Sequence, residues 1–353
     1  MITYLFYFLV GAVFAAIITP PVKKLAMRWG AVDIPRPPRN LHPRPVAKLG
    51  GLAVCLAFFG AIGLYLLWGK VNYNIVPFNF FVGIILGGML LVLGGVLDDK
   101  YDLPAKLQWL FPALAALVIV LSGIGVGIKF ISNPFGAPLS LNFSVLGIGA
   151  SSIFVWLWMM GMMFTTKFLD GIDGLTAGIS FIASLTLFFL SLGAKVNQPI
   201  TATLAIIFCG VLAGYLIYGF HPAKIFLGEA GSTFTGFVLG VLSIILGAKI
   251  ATALLVMGIP ILDVAWVIAQ RLWLKASPFK GDRLHLHFRM LDLGLSQKQT
   301  VVVLYFISAL FGFTAIFLQS FGKLIALGLL FLVMCAFVIT IIKYYHAKFG
   351  RNP

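Results

Sequence analysis

Long apolar stretches recur along this chain of 353 residues and constrain its fold more than any other feature. A transmembrane helix needs about 20 mostly apolar residues. Eleven such stretches are present, at 2–20, 49–69, 76–97, 105–126, 145–165, 175–193, 200–220, 232–247, 250–270, 300–318 and 322–343. Hydrophobic residues make up 61% of the chain and charged residues only 10%, which excludes a soluble globular protein. The sequence therefore predicts an all-α polytopic membrane protein with about eleven transmembrane helices, forming a single domain over residues 1–353.

The basic residues indicate the orientation of these spans. With the N-terminus outside, the inner segments hold 20 of the 25 Lys and Arg residues, and each of five outer loops holds one. Cytoplasmic loops of membrane proteins carry the excess of Lys and Arg, so we predict an N-out, C-in, multi-pass protein of the cell (cytoplasmic or inner) membrane. The net charge of +15 then reflects topology, and no nucleic-acid partner is expected. The predicted cytoplasmic loops are 23–48, 98–106, 165–174, 221–231 and 271–299, and the outer lysines are Lys70, Lys129, Lys195, Lys249 and Lys323.

Two further segments are interpreted from their patterns. The first apolar run lacks a basic region and a cleavage site, and is therefore predicted to be a retained span. Residues 127–145 alternate apolar and polar residues around Asn-Pro-Phe-Gly, which predicts a small outer β-hairpin.

Acidic residues are concentrated on one predicted face. Nine of the ten Asp and Glu residues lie in cytoplasmic loops or at inner ends of spans, and Asp263 alone lies within an apolar span. We interpret Asp263 as functional, because intramembrane carboxylates usually are. A structural ion pair with Arg271 or a backbone partner is the alternative. The asymmetry predicts one polar site on the cytoplasmic surface, built from several short loops.

Three of these loops share a design. They carry Asp98 and Asp99, Asp170 and Asp173, and Glu229, and each precedes a helix whose N-terminus would face the cytoplasm. Free N–H groups at helix starts favour phosphate, whereas carboxylates repel it unless a divalent cation lies between them. The pattern therefore predicts Mg²⁺ with a phosphorylated ligand, although each motif alone is also typical of a turn or cap. Ser232 or Thr233 is expected to cap the helix after Glu229.

A fourth element is the segment 283–289, in which every second residue is cationic or imidazole. The polar residues are Arg283, His285, His287 and Arg289, and they alternate with Leu284, Leu286 and Phe288. This alternation predicts an extended interfacial segment that offers His and Arg groups to a phosphate. Zinc is a poor alternative, because no Cys or third His lies nearby in sequence.

Five motifs together resemble a known family. They are LGG (49–51), GVLDDKYDLPAK (95–106), FLDGIDGL (168–175), FHPAKIFLGEAGS (220–232) and SPFKGDRLHLHFRMLDLGLSQKQ (277–299). Their order and spacing resemble the polyprenyl-phosphate N-acetylhexosamine-1-phosphate transferases over nearly the whole chain. The HLHFRMLDLGLSQ segment is more similar to the WecA and TagO branch than to MraY.

The resemblance implies transfer of a sugar-1-phosphate, expected to be GlcNAc-1-phosphate, from a UDP-sugar to polyprenyl (undecaprenyl) phosphate. UMP is released at the cytoplasmic membrane face, in the first step of cell-envelope polysaccharide synthesis. The alternatives are a phospho-MurNAc-pentapeptide transferase of peptidoglycan synthesis, a non-catalytic member that binds lipid or nucleotide-sugar, and a transporter. The expected partners are the two substrates and the lipid bilayer, and a homodimer is left open because relatives are often dimers.

The resemblance also implies residue roles. Asp98, Asp99 and Asp170 are the candidate catalytic residues, with Asp98 and Asp99 binding or deprotonating the acceptor phosphate. Glu229 and Asp170 are the candidate ligands of Mg²⁺, with Mn²⁺ as a substitute. The candidate substrate-binding residues are Lys106, Lys167, Asp173, Phe226 (stacking on uracil), His285, His287 and Arg289. Lys167, Gly219 and Glu229 depart from the family's usual Asn, Asn and Asp, which leaves metal dependence and catalytic competence open.

Overall fold

The computed structural model describes residues 1–35, 44–69, 71, 73, 76–131, 139–145, 147–194, 196–246, 250–273, 284–318 and 320–349. Thirteen helices make up most of this part of the chain. They are α1 (Ile2–Trp29), α2 (Gly50–Trp68), α3 (Phe78–Tyr101), α4 (Ala105–Leu121), α5 (Ala150–Leu169), α6 (Leu175–Leu192), α7 (Pro199–Gly219), α8 (Gly228–Ile245), α9 (Ile250–Val256), α10 (Gly258–Trp273), α11 (Leu286–Asp292), α12 (Gln297–Phe317) and α13 (Ser320–Phe349).

The helices confirm the predicted class of membrane protein. Eight of those in the described ranges, α1, α2, α3, α5, α6, α7, α8 and α12, are long and apolar enough to cross a membrane. The pair α9 and α10 is bent by 79° and makes a ninth span if it is counted as one. Two further apolar helices, Ala105–Leu121 and Phe321–Phe337, are shorter than a full span. Each predicted span thus coincides with helix, whereas the count of eleven and the orientation stay predictions.

Short antiparallel strand pairs form the small sheets. β1 (Val32–Asp33) pairs with β2 (Val46–Ala47) in the loop after α1. β3 (Phe130–Ile131) and β4 (Leu139–Ser140) form the predicted hairpin, and β5 (Ser144–Val145) and β6 (Ile148–Gly149) form a second one directly after it. The Asn-Pro-Phe-Gly segment, parts of loops 23–48 and 271–299, and Arg283, Lys70, Lys195 and Lys249 lie outside the described residues.

Helices α7 and α8 form the centre of the bundle, since 83% of the most apolar stretch of each is buried. Small residues let α1 approach α7 closely: a Cβ added at Gly210 or Gly214 would collide with the backbone carbonyl of Phe8 or Ala12. Close backbone approach at small residues is how helices pack in lipid, where burial of apolar side chains supplies little driving force. This packing fixes α7 against α1.

The start of α8 is also enclosed by the start of α2 and the end of α3. A Cβ at Gly51 would collide with the backbone of Gly231, and one at Gly95 would collide with Ala230. The main chain links the same segments, since Gly50 N donates to the carbonyl of Phe226 over 2.9 Å. The LGG motif and the segment before Glu229 therefore form one rigid unit.

Candidate active site

A cavity of about 790 Å³ opens where the C-terminal ends of α3, α5 and α7 meet the start of α8. Seven carboxylates line it: the five predicted site acids Asp98, Asp99, Asp170, Asp173 and Glu229, which come from three separate segments, and also Asp33 and Asp102. Lys48, Lys100 and Lys167 line it as well, together with Phe226, Phe288 and Gln297. The structure thus brings together the five site acids, which are up to 131 residues apart, as the loop pattern predicts.

Asp99 lies at the end of α3 and caps α8. Its side chain is 5% exposed. Oδ1 accepts a hydrogen bond from Glu229 N at 2.9 Å, and Oδ2 accepts one from Ala230 N at 3.4 Å. The carboxylate therefore satisfies two of the N–H groups that every helix start leaves without an internal partner.

The sequence prediction for this cap was wrong. Helix α8 begins at Gly228, so Ser232 and Thr233 lie inside the helix and not at its N-cap. Thr233 Oγ1 donates back to the carbonyl of Glu229 at 2.7 Å. The positive φ of Gly228, 72°, turns the chain tightly into the helix, and a Cβ there would strike the Asp99 carboxylate. The cap comes from a distant element because this turn leaves room for a carboxylate from α3.

A chain of polar contacts connects Asp98 to Glu229. Asp98 Oδ1 accepts hydrogen bonds from Leu103 N at 2.8 Å and from Gln108 Nε2 at 2.9 Å. Gln108 Oε1 accepts one from Lys167 Nζ at 2.9 Å, and the same Nζ lies 2.6 Å from Glu229 Oε1. The sequence carried no signal for Gln108, because its importance arises only from the packing of α4 against α5.

The loop between α5 and α6 carries Asp170 and Asp173. Gly174 has a φ of 78°, a conformation that favours glycine, and ends the loop at the start of α6. Asp173 Oδ2 accepts a hydrogen bond from Ala223 N at 3.0 Å and lies 2.8 Å from His221 Nδ1. His221 showed no individual signal in the sequence, yet it fixes one of the predicted site carboxylates.

Asp170 has an unusual protonation equilibrium. Burial in the cavity wall, followed by the negative charges of Glu229 and Asp173, raises its pKa from 3.8 to about 7. A carboxyl group surrounded by like charges is stabilised in its ionised form by a bound cation.

The segment that follows α10 is helical where it was predicted to be extended. His285 precedes α11, so His287 and Arg289 lie on a helix, and that prediction was wrong. Asp263 Oδ2 lies 2.8 Å from His285 Nδ1, and Asp263 Oδ1 accepts a hydrogen bond from Leu286 N at 2.8 Å. These bonds satisfy the start of α11, which is why the polar alternation does not continue as a strand. The alternative of a backbone partner for Asp263 is thus observed.

The imidazoles lie behind the cavity wall. His285 stacks between Phe168 and His287, at ring-centroid distances of 6.1 and 5.7 Å. His287 contacts Gly171 so closely that a Cβ there would collide with its Nε2. Arg289 is buried and donates to the carbonyl of Leu284 and to Gln270. Among the described residues, Phe288 is the member of this segment that lines the cavity.

Two other predicted substrate-binding residues differ in position. Phe226 lines the cavity, and its N–H donates to the carbonyl of Ala47 over 2.8 Å, so its backbone is held as in a strand. Lys106, by contrast, is exposed at the start of α4 and is not part of the cavity lining. Lys48, which the sequence did not single out, lines the cavity and lies 3.6 Å from Asp102.

The donors fit a hard cation better than zinc. Carboxylate oxygens are the ligands that Mg²⁺ and Mn²⁺ prefer. In the part of the chain that the structure describes, no three His, Cys, Asp or Glu side chains are arranged to hold a metal ion together. Asp170 and Glu229 can contribute oxygens, while Glu229 is paired with Lys167. A cation bound here would take further ligands from its substrate or from water.

Comparisons with known proteins agree with the motifs. Residues 81–247 match the profile of glycosyl transferase family 4. The chain is 34% identical over 341 residues to a probable undecaprenyl-phosphate N-acetylglucosaminyl 1-phosphate transferase of Bacillus subtilis, covering 95% of this chain and 90% of that protein. It is 30% identical to a decaprenyl-phosphate N-acetylglucosaminephosphotransferase of Mycobacterium tuberculosis, covering 84% and 78%.

A third relative, the undecaprenyl-phosphate alpha-N-acetylglucosaminyl 1-phosphate transferase of Escherichia coli, is 27% identical, covering 82% of this chain and 76% of that protein. The residues matched by the family profile, 81–247, include Asp98, Asp99, Asp170, Asp173 and Glu229. The chain therefore belongs to glycosyl transferase family 4, in the branch of the polyprenyl-phosphate N-acetylglucosamine-1-phosphate transferases.

Proposed function

We propose that this protein transfers N-acetylglucosamine-1-phosphate from UDP-N-acetylglucosamine to a polyprenyl phosphate and releases UMP. The acceptor is a lipid and the donor is water-soluble, so the reaction has to take place at the membrane boundary. The proposed location is the cytoplasmic face of the cell membrane, as the distribution of basic residues predicts.

The observation that carries this proposal is the convergence of seven carboxylates, three lysines and Arg44 on one cavity at the ends of membrane-spanning helices. Phosphoryl transfer depends mainly on positioning and on neutralising negative charge. A cavity that combines cationic side chains, helix starts and carboxylates can bind two phosphorylated substrates through a cation. Lipid transport alone would not require such a concentration of ionisable groups.

The proposed metal ion is Mg²⁺ or Mn²⁺, with Asp170 and Glu229 as ligands from this chain. Such an ion, when bound, neutralises charge on the donor's diphosphate and polarises the bond that breaks. The chain's own contribution is to hold these carboxylates rigidly: α8 presents Glu229 in its first turn, and Asp99 fixes that turn.

The remaining cavity residues are assigned by their chemistry. Lys48 and Lys100 are proposed to attract the phosphate of the lipid acceptor, because both line the cavity and carry positive charge. Lys100 Nζ also lies 4.5 Å from the centroid of the Trp29 ring at the end of α1. Phe226 offers an aromatic face to the uracil ring. A phosphate monoester with a second pKa near 6 is largely dianionic at neutral pH, so the acceptor can attack without a general base. Asp98 and Asp99 then act mainly by positioning, consistent with their hydrogen bonds.

His285, His287 and Arg289 are proposed to act through the loop that they support. Their rings and hydrogen bonds hold α11 against Gly171, which lies between Asp170 and Asp173. They would thus keep both carboxylates aligned with the donor's diphosphate.

The test is a donor screen with the purified protein in lipid, Mg²⁺ and undecaprenyl phosphate, read by UMP release. UDP-N-acetylglucosamine should give turnover, with UDP-N-acetylgalactosamine and UDP-MurNAc-pentapeptide as competing donors. Release of UMP only with the pentapeptide donor would assign the protein to peptidoglycan synthesis instead. Binding of donor by calorimetry without UMP release from any donor would refute a transferase and support a binding protein.

A further inference from the structure

Lys167 is a cationic group in direct contact with a cavity carboxylate. Its Nζ is 2.6 Å from Glu229 Oε1 and 2.9 Å from Gln108 Oε1. Both side chains of the ion pair are only 15% exposed. The ammonium group also lies 5.7 Å from the centroid of the Phe164 ring. Two oxygen ligands and an aromatic face thus surround a single positive charge.

This arrangement has the character of a cation site occupied by a side chain. A carboxylate oxygen and an amide oxygen are hard donors, and they hold the ammonium as they would hold a metal ion. The contact is direct, so a divalent cation bound to Glu229 Oε1 would lie within about 5 Å of the Lys167 ammonium and would be repelled by it. Glu229 is anchored on the first turn of α8, and Gln108 is fixed by Asp98. The lysine is therefore the partner that has to move.

Lysine is suited to such movement. Its ammonium is a point charge at the end of a flexible stem, in contrast to the planar and geometrically demanding guanidinium of arginine. Lys167 lines the cavity, so its ammonium can leave Glu229 for an anionic group of a ligand bound there. The same positive charge would then contact the ligand's phosphate.

We infer that the Lys167 ammonium occupies Glu229 Oε1 and competes with a divalent ion for this oxygen. The inference rests on the proposed function for the identity of the ligand, a diphosphate with its divalent ion. It concerns the binding of the ion itself, however, and is tested without turnover.

The experiment measures Mn²⁺ binding by electron paramagnetic resonance to the full-length protein in lipid nanodiscs, without nucleotide. Lys167→Met should bind Mn²⁺ at least about tenfold more tightly than the wild type, which corresponds to about 1.4 kcal/mol. Lys167→Arg keeps the charge and should not show the gain. Lys224→Met is the matched control, because Lys224 is an exposed neighbour outside the cavity lining and its removal changes the net charge equally.

A double variant identifies the carboxylate. The gain should disappear in Lys167→Met combined with Glu229→Gln, since the competition concerns that oxygen. The inference is overturned if Lys167→Met binds Mn²⁺ no more tightly than the wild type, if Lys224→Met gains equally, or if the gain persists in the double variant. A failed donor screen would leave these binding results unaffected, so the two proposals fail separately.

A second measurement uses the wild-type protein and does not depend on the folding of a variant. Saturating Mg²⁺ should increase the rate at which an amine-reactive acetylating reagent modifies Lys167, because the displaced ammonium leaves its ion pair. Mass spectrometry of the labelled peptide gives this rate, with Lys224 as the internal reference. An unchanged rate at Lys167 would overturn the inference.

Discussion

Replacing Asp99 by Asn tests whether this carboxylate supports the fold as well as the site. From the sequence, Asp99 lies at the edge of a loop, and its replacement is expected to cost little in helix packing. In the structure, however, it is buried and its two oxygens accept hydrogen bonds from Glu229 N and Ala230 N. Asn can keep one of these bonds, but its NH₂ group would then face the other N–H.

The magnitude follows from the bonds that change. A hydrogen bond to a charged group contributes about 1.5 to 3 kcal/mol, and the negative charge beside a helix start adds about 0.5 kcal/mol. Loss of one such bond should therefore lower the free energy of unfolding by about 2 kcal/mol. Asp99→Ala, which loses both bonds, should lower it by about 3 kcal/mol or more. UMP release should fall in both variants, because the first turn of α8 also carries Glu229.

Reversible unfolding in mixed micelles of a mild detergent and sodium dodecyl sulfate gives these free energies. Asp102→Asn is the matched control, since its side chain is 76% exposed and its contact with Lys48 is 3.6 Å long. An exposed ion pair contributes less than about 1 kcal/mol. If Asp99→Asn is no less stable than Asp102→Asn, the capping argument is refuted.

Three further predictions follow from the site. The pKa of Asp170 is raised to about 7 in the folded protein, so the unfolded chain releases this proton at lower pH than the folded protein does. Without metal, the free energy of unfolding should therefore fall as pH rises from 3.8 towards about 7. Mn²⁺ affinity should rise about tenfold per pH unit over the same range and level off above it, and Asp170→Asn should remove both effects. Gly171→Ala would place a methyl group against the imidazole of His287 and should destabilise the protein in thermal unfolding, whereas Gly161→Ala has open space and should not. Asp263→Asn weakens the bonds that hold the start of α11, and should reduce UMP release about 10- to 100-fold and accelerate proteolysis within 284–299. Unchanged proteolysis would contradict that role.

Much of the site was predictable because its acids lie close together in sequence within each loop. Asp170 and Asp173 are each followed by a glycine, and Asp98 and Asp99 end an apolar run, so their positions at the ends of spans follow from hydropathy alone. Asp-Gly pairs indicate a tight turn regardless of the rest of the chain. We predicted that the loops converge because they share one side of the membrane. In the structure their acids line one cavity of about 790 Å³.

The errors have a common cause. The alternation at 283–289 is also compatible with a cap followed by a helix, and Asp263, which lies 22 residues before His285, decides between the two. The cap of α8 was sought within five residues of its start, whereas Asp99 lies 130 residues before Glu229. Local patterns contain no information about a partner that distant.

The amino-acid sequence by itself determined that this protein resides in a membrane and gathers its carboxylates on one face, because hydropathy and charge act on each segment independently. It also carried the family's motifs. Tertiary structure alone decided which partner each carboxylate has: Asp99 caps α8, Asp173 is held by Ala223 N and lies against His221, and Glu229 is paired with Lys167. The reason is physical, since a buried charge must find its partner wherever packing brings one, and packing depends on the whole chain.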